Sequence, residues 1–189
     1  RHRQKLEAAS AEMGRMNARP VDVAERWIVR TDCAAVLAGI GDPDEVVLDL
    51  DGMPDSDVHD AAKRFGMKRI RLALPLVMRS YESAALRRRV DSLAGMGYIR
   101  WLATNISAWD VLPSGCDVAA DWTMSAWNTP AIRELMARGA TGVTLSPECD
   151  IEDLCGLSGT WGDVAAVVLH QDTPLMISES CPISALGVN

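Results

Sequence analysis

Polar and acidic side chains follow several short apolar runs of this sequence. If those runs are parallel strands of a barrel, chemistry is usually located at their carboxyl ends. In chain order the groups are Asp49 and Asp51, Thr104 and Asn105, Asp121, Ser146 to Glu148, and His170 to Asp172. Strand ends also meet solvent, so polar residues occur there without any function. Only their arrangement in the fold can separate these two interpretations.

Asp49 and Asp51 flank Leu50, so both carboxylates would point to the same side of an extended strand. Carboxylates placed in this way can share a proton or bind a hard cation. The same two residues could instead cap the helix that follows the strand. Both interpretations stay open at the level of sequence.

His170 and Cys181 are the candidates for nucleophilic or metal chemistry near the C-terminal end. His170 is the only histidine at a predicted strand end. Cys181 follows the polar segment Ser178 to Ser180, and a thiol in such a loop suits metal or redox work better than one packed in a helix. A Cys181–His170 nucleophilic pair would need a third group to orient the imidazole, and the sequence offers none nearby.

The composition is that of a folded globular domain. The 189 residues are 48% hydrophobic and 24% charged, with a mean hydropathy of +0.02, which excludes a disordered tail. No apolar run approaches the roughly 20 residues of a membrane span. The net charge of -7 disfavours a protein that holds duplex nucleic acid through phosphate contacts. The short basic run Arg87 to Arg89 is interpreted as a solvated helix face.

The five cysteines form neither a CxxC pair nor an even set, which favours a reducing compartment. We therefore expect a cytoplasmic location. The chain begins with Arg1 and ends on Asn189, and we expect it to be part of a longer protein.

Short apolar runs alternate with helical patterns from residue 26 onward, after a helical lead-in or connector over residues 1–25. The predicted strands are Arg26–Arg30, Val46–Leu50, Ile70–Leu76, Ile99–Ala103, Val118–Trp122, Gly142–Leu145 and Val164–Leu169. The predicted helices are Asp32–Ile40, Ser56–Phe65, Tyr81–Met96, Thr129–Arg138 and Ile151–Leu157, with one turn at Ala108–Leu112. Glycines follow three of these helices, as expected of helix caps, at Gly66, Gly97 and Gly139.

The strand runs are almost continuously apolar, which is typical of a parallel sheet that is covered on both faces. Such repeated units predict an α/β fold, either a TIM-like parallel (β/α) barrel or a doubly wound sheet. No GxGxxG loop follows the first strand, which favours the barrel. Barrels usually need about 250 residues. We therefore expect an incomplete or distorted barrel over residues 26–189 whose C-terminal part is missing, with 175–178 as a candidate eighth strand.

Two stretches of the chain resemble the collagenase-like peptidase family U-32. The first is DWTMSAWN at 121–128, continuing to LSPE at 145–148. The second is HQDTPLMISESCP at 170–182. The resemblance covers residues 117–183, while residues 26–110 agree only in the barrel rhythm. It implies a TIM-like barrel that belongs to a longer protein.

The resemblance also implies a cofactor and a pocket. The full-length protein would carry an iron–sulfur cluster (4Fe-4S) with Cys181 as one ligand, and Asp121, Asn128, Glu148 and His170 would line the pocket mouth. Although members are described as peptidases, relatives of this type support oxygen-independent hydroxylation of RNA bases or of a quinone precursor. One thiolate cannot hold a four-iron cluster. Further ligands are therefore expected beyond Asn189, and the chain alone is expected to be free of the cluster and inactive.

Two alternatives remain beside the hydroxylase. A genuine peptidase would use Glu148 or Asp49 to activate water, with or without a metal ion, although the sequence has no HExxH, GxSxG or Ser/His/Asp order. A non-catalytic barrel would act as a binding or assembly module and could self-associate through an open sheet edge. The expected substrates are accordingly RNA, a quinone precursor or a peptide.

Overall fold

The computed structural model describes residues 25–174. The connector predicted over residues 1–25 (apart from its last residue), the candidate strand 175–178 and Cys181 lie outside the described residues. Within 25–174, no helix combines the length and the apolar character that crossing a membrane requires.

Between residues 25 and 174, seven strands form one sheet in which every neighbouring pair is parallel. They are β1 Ile28–Thr31, β2 Glu45–Asp49, β3 Ile70–Ala73, β4 Arg100–Ala103, β5 Asp117–Ala120, β6 Gly142–Thr144 and β7 Ala165–Ala166. Strand order in the sheet follows chain order from β1 to β7. A doubly wound sheet reverses its strand order at a switch point, so the sequential order confirms the barrel-like alternative.

Helices connect the strands at nearly all the predicted places. They are α1 Ala34–Leu37, α2 Asp55–Phe65, α3 Ser83–Gly95, α4 Ala108–Val111, α5 Thr129–Ala137 and α6 Ile151–Trp161, with 3₁₀ turns at Met67–Arg69 and Trp122–Met124. Gly66, Gly97 and Gly139 follow α2, α3 and α5 with φ angles of +86°, +102° and +96°. The glycine caps are therefore confirmed.

The sheet is curled, and one ion pair shows how far. Arg30 on β1 and Asp121 just after β5 approach to 2.9 Å between Nη1 and Oδ2. These strands are four positions apart in the sheet, which in a flat sheet is about 19 Å, more than the two side chains can span. In an eight-stranded barrel the first and fifth strands face each other across the centre. The seven strands thus form an incomplete TIM-like barrel.

The two faces of the sheet bury different residues. The outer face packs under the helices through large apolar side chains, among them Leu48, Leu72 and Trp101. The inner face carries a smaller apolar layer of Val47, Ala73, Leu102 and Ala119. This inner layer separates two charged clusters, one at each end of the barrel interior.

The cluster at the amino ends of the strands consists of Glu45, Arg71, Arg100 and Asp117, and we call it the floor cluster. Arg71 donates from Nε to Glu45 at 2.6 Å and from Nη1 and Nη2 to the Asp117 carboxylate at 3.2 Å each. Arg100 pairs with both acids as well. The arginine side chain of Arg71 is only 7% exposed. The floor cluster therefore ties four neighbouring strands together inside the barrel.

Candidate functional site

Arg30, Asp49 and Asp121 meet inside the curled sheet at the carboxyl ends of their strands, and we call them the mouth cluster. Arg30 donates from Nε and Nη2 to the two carboxylate oxygens of Asp49, at 2.9 and 2.6 Å. Its Nη1 donates to Oδ2 of Asp121 at 2.9 Å. Two carboxylates thus share one guanidinium: Asp49 makes a bidentate contact, and Asp121 makes a single charge-assisted hydrogen bond.

Strand register places these side chains on the inner face. Arg30 pairs with Val47, and side chains alternate along a strand, so Asp49 lies on the same face two residues further on. The backbone N–H of Asp121 donates to the carbonyl of Ala103 at 2.8 Å, which continues the ladder beyond β5. Asp121 therefore keeps the inward direction of Ala119.

Burial differs within the mouth cluster and sets its electrostatics. The Asp121 side chain is 3% exposed, whereas those of Asp49 and Arg30 are 22% and 35% exposed. Burial raises the pKa of Asp121 above its usual value despite the adjacent Arg30, and the charge of Asp49 adds to the rise. Burial lowers the pKa of Arg30, but the hydrogen bonds and charges of both carboxylates raise it by more. The two carboxylates therefore keep Arg30 charged, whereas Arg30 offsets only part of the penalty that burial places on the ionised form of Asp121.

The floor cluster has the opposite balance. Burial raises the pKa of Asp117, but hydrogen bonds from Thr141, Arg100 and Arg71 outweigh it and lower the pKa to about 2. Ionised Asp117 therefore stabilises the fold, whereas ionised Asp121 costs stability. Burial penalises the ionised form of Asp121, and this carboxylate lies at the end of the barrel where active sites are usually located. Asp121 is therefore a functional-site candidate.

Other polar residues at the strand ends hold the loops around the mouth. The hydroxyl of Thr123 donates to the carbonyl of Thr104 at 2.6 Å and lies 3.4 Å from Oδ2 of Asp121. Thr104 donates to the carbonyl of Pro75 at 2.8 Å, and Asn105 donates to that of Leu76 at 3.0 Å. Thr104 and Asn105 thus bind the β4 end to the neighbouring loop, which is a structural role.

The residues implied by the resemblance fall in different environments. Asp121 lies in the mouth cluster. Asn128 is exposed and caps α5, since its side-chain oxygen accepts from the N–H of Ala131 at 2.9 Å. Glu148 and His170 are exposed on the loops that follow β6 and β7. Cys181 lies outside the described residues.

The predicted Asp49–Asp51 pair does not form as a single inner-face pair. β2 ends at Asp49, the N–H of Leu50 makes one further bond to the carbonyl of Ala73 at 3.0 Å, and Asp51 then lies in a turn, where the alternation no longer applies. Asp51 is exposed and lines a cavity of about 250 Å³ beside the loop between β3 and α3. The capping alternative is not observed either, because the N-cap of α2 is Pro54, without a side-chain hydrogen bond.

The basic run on α3 is more structural than the predicted solvated face. Arg89 is half-buried and donates to Asp55 at 2.8 Å and to the carbonyl of Leu50 at 2.6 Å. Arg87 donates to the carbonyl of Asp110. Arg88 is exposed, as the prediction requires. Two of these guanidinium groups therefore bind other segments of this chain, Arg89 the connection between β2 and α2 and Arg87 the helix α4.

The described residues contain no set of metal ligands. Across residues 25–174, no three His, Cys, Asp or Glu side chains lie close enough together to hold a metal ion. Cys33, Cys116, Cys149 and Cys155 are free thiols. These residues do not fit an iron–sulfur cluster, which takes four ligands, commonly thiolates.

Arg30 is the site residue that the sequence analysis did not single out. Its signal was an arginine that directly follows the apolar residues Trp27 to Val29 and is the last residue of the first predicted strand. Its meaning depended on Asp121, which is 91 residues away in the chain. Comparisons of the chain with protein-family models, with curated proteins and with solved structures find no match.

Proposed function

We propose that this chain is the substrate-binding barrel of an enzyme of the U-32 type, a hydroxylase of an RNA base or a quinone precursor. The resemblance of residues 117–183 supports the reaction class. The mouth cluster supports the place where substrate binds. The iron–sulfur cluster of the proposal would be held by Cys181 and further cysteines outside the described residues. Conversion of C–H to C–OH with oxygen from water releases two electrons and two protons, so the cluster would supply the redox chemistry that passes these electrons to an external acceptor.

The single observation that carries the proposal is the buried carboxylate of Asp121 at the end of β5. It is 3% exposed, it shares Arg30 with Asp49, and its pKa is raised by burial. A purely structural acid gains nothing from this environment. An acid that binds or orients substrate does, because its acceptor oxygens are fixed before substrate arrives.

The mouth cluster can bind and orient a polar substrate in two ways. Asp49 offers carboxylate oxygens as acceptors, and Arg30 offers guanidinium N–H groups as donors. The buried Asp121 holds Arg30 in place for this contact. The inner layer below them, with Ala73 and Ala119, is small and apolar. A flat group could therefore rest on this layer while its polar edge meets the cluster.

The peptidase alternative has less support. It required Asp49 or Glu148 to activate water. Both oxygens of Asp49 accept hydrogen bonds from Arg30, so the described contacts tie this carboxylate to the arginine and not to a partner that would help it activate water. Glu148 is exposed, and its backbone N–H donates to Ser146 at 3.3 Å. No described contact prepares either residue for hydrolysis.

The test compares three forms of the full-length protein after anaerobic purification: wild type, Cys181→Ala and Asp121→Asn. The visible spectrum and the iron and sulfide contents report the cluster. Mass spectrometry of RNA nucleosides and quinone precursors from the expressing cells reports the addition of one oxygen atom. We expect Cys181→Ala to lose iron and product, and Asp121→Asn to keep iron but lose product. A folded wild-type protein without iron would overturn the hydroxylase proposal and return attention to hydrolysis or binding.

A further inference from the structure

Arg30 keeps more unused hydrogen-bond donors than its counterpart at the other end of the barrel. A guanidinium has five N–H groups, and Arg30 uses three of them on Asp49 and Asp121. Arg71 in the floor cluster uses four: Nε contacts Glu45, both N–H groups of Nη1 contact Asp117 and the carbonyl of Trp101, and one N–H of Nη2 contacts Asp117. Among the described residues, two N–H groups of Arg30 are therefore left for a ligand or water, against one of the buried Arg71.

Exposure agrees with this difference. The Arg30 side chain is 35% exposed, and that of Arg71 is 7% exposed. A ligand can therefore reach Arg30. Its two carboxylate partners keep the guanidinium in one position, so little side-chain freedom would be lost when a ligand binds.

The charge of the mouth cluster restricts what the spare donors can accept. One guanidinium and two carboxylates sum to a net charge of −1 when all three are ionised. A second anion placed within about 5 Å of this cluster would be repelled at the effective dielectric constants of protein surfaces. A neutral carbonyl oxygen accepts the same hydrogen bonds without this repulsion.

We propose that Arg30 determines the specificity of the mouth: it binds the carbonyl oxygen of a neutral substrate group, and Asp49 and Asp121 exclude anionic groups from that position. The ligand class is thus an uncharged amide-like or ketone-like group rather than a carboxylate or phosphate. The inference rests on the proposed function only in taking the mouth as the place where substrate binds. It makes no use of the cofactor.

Acetamide and acetate test this inference directly, because the two probes have nearly the same shape and differ in charge. Each would be titrated into the isotope-labelled 189-residue chain, with binding followed by NMR shifts of Arg30, Thr123 and the Asp121 backbone amide. A probe of four non-hydrogen atoms binds weakly, so the comparison is between relative dissociation constants. We expect the dissociation constant of acetate to be at least about tenfold larger than that of acetamide.

Two variants and a control separate the contributions. Arg30→Gln should lose acetamide binding, and Asp49→Asn, which makes the cluster neutral, should bring acetate to within about threefold of acetamide. Arg88→Gln, an exposed arginine on α3, should leave both titrations unchanged. Spectral dispersion of each variant shows whether it is folded.

Three results would overturn the inference. The first is equal binding of acetate and acetamide to the wild type, and the second is acetamide binding to a folded Arg30→Gln variant. The third is that neither probe shifts the NMR signals of Arg30, Thr123 and Asp121. Selective carbonyl binding by this chain, together with a folded full-length protein that contains no iron, would instead leave the inference standing and remove the hydroxylase. The two failures can therefore be distinguished.

Discussion

Replacing Asp121 with asparagine is the change that best separates a functional carboxylate from a structural one. The substitution keeps the shape of the side chain and one acceptor oxygen for Arg30, and it removes the charge. If Asp121 serves the fold, the protein should lose stability. If Asp121 serves substrate, stability should be nearly unchanged while binding or activity is lost, as is common at sites where function and stability conflict.

The magnitude follows from two opposing contributions. A hydrogen bond to a charged partner contributes about 1 kcal/mol more than a neutral one, so weakening the Arg30–Asp121 contact costs about that much. The raised pKa of Asp121 shows that burial penalises its ionised form, and asparagine removes this penalty. We expect the free energy of unfolding to change by less than about 1 kcal/mol, which is less than about 4 °C in Tm for a chain of this length.

The pH dependence has a definite sign. The folded chain binds the proton of Asp121 more tightly than an unfolded chain, in which the pKa is near 3.8. Stability contributed by this group therefore falls as pH rises from about 4 through the raised pKa, and it returns as the pH is lowered. Asp121→Asn lacks this dependence. Its stability relative to wild type should be more favourable at pH 7 than at pH 4.

Urea unfolding followed by tryptophan fluorescence measures these differences, because Trp101 is fully buried in the core. The matched control is Asp117→Asn in the floor cluster, the same substitution at the opposite end of the barrel. The pKa of Asp117 is lowered to about 2, so its charge stabilises the fold above pH 4, and this contribution disappears as pH falls towards 2. After allowance for solvent screening, the control should lose about 1–2 kcal/mol at pH 7. A loss of about 3 kcal/mol or more in Asp121→Asn would refute the reasoning, since that is the effect of breaking a structural buried ion pair.

Three further predictions concern the barrel itself. Arg71→Met should lower the free energy of unfolding by about 3–5 kcal/mol in urea titrations, because the buried Glu45 and the half-buried Asp117 would each lose one of their two arginine partners. A change below about 1 kcal/mol would show that Arg100 alone suffices. Ile28 is 45% exposed on β1, which is an edge of the sheet within the described residues. A charged side chain at this edge should disfavour strand pairing between two copies, so Ile28→Lys should reduce the concentration-dependent association seen in light scattering. A wild-type chain that stays monomeric at high concentration would contradict this. Gly97→Ala should lower the free energy of unfolding by about 1–2 kcal/mol, because φ is +102° at this position. Gly95→Ala at the end of α3 should leave it unchanged or raise it slightly. Thermal melts of the two variants measure the difference.

Local sequence patterns predicted the elements well, because their signals lie within a few residues. The continuous apolar run around Val46–Leu50 marked a strand buried on both faces, and it is β2. Asn128 followed by Pro130 suits a helix start, and Asn128 is the N-cap of α5. The largest error in strand length is at β7, predicted as Val164–Leu169 and observed as Ala165–Ala166. Pairing rather than composition ended it: β7 is an edge of the described sheet, bonded only to β6.

The candidate site was predictable only in part. Asp121 was named because a polar residue at a strand end is a recognisable local signal. Asp49 was named as one of a pair with Asp51, and that pair fails because β2 ends at Asp49 and Asp51, two residues further on, lies in a turn. Sequence spacing cannot show where a strand stops, since the last ladder bond depends on a neighbouring strand.

The sequence by itself determined the order of strands and helices, the parallel α/β class and the glycine helix caps, since each of these depends on hydrophobic periodicity or backbone freedom within a short segment. The tertiary structure alone decided that Arg30 meets Asp121, that the arginine at one end of the barrel is buried and the one at the other end is partly exposed, and that two similar aspartates have opposite pKa shifts. These properties depend on how far the sheet curls and how deeply each side chain is buried. Curl and burial arise from contacts between residues far apart in the chain, and no local pattern encodes them.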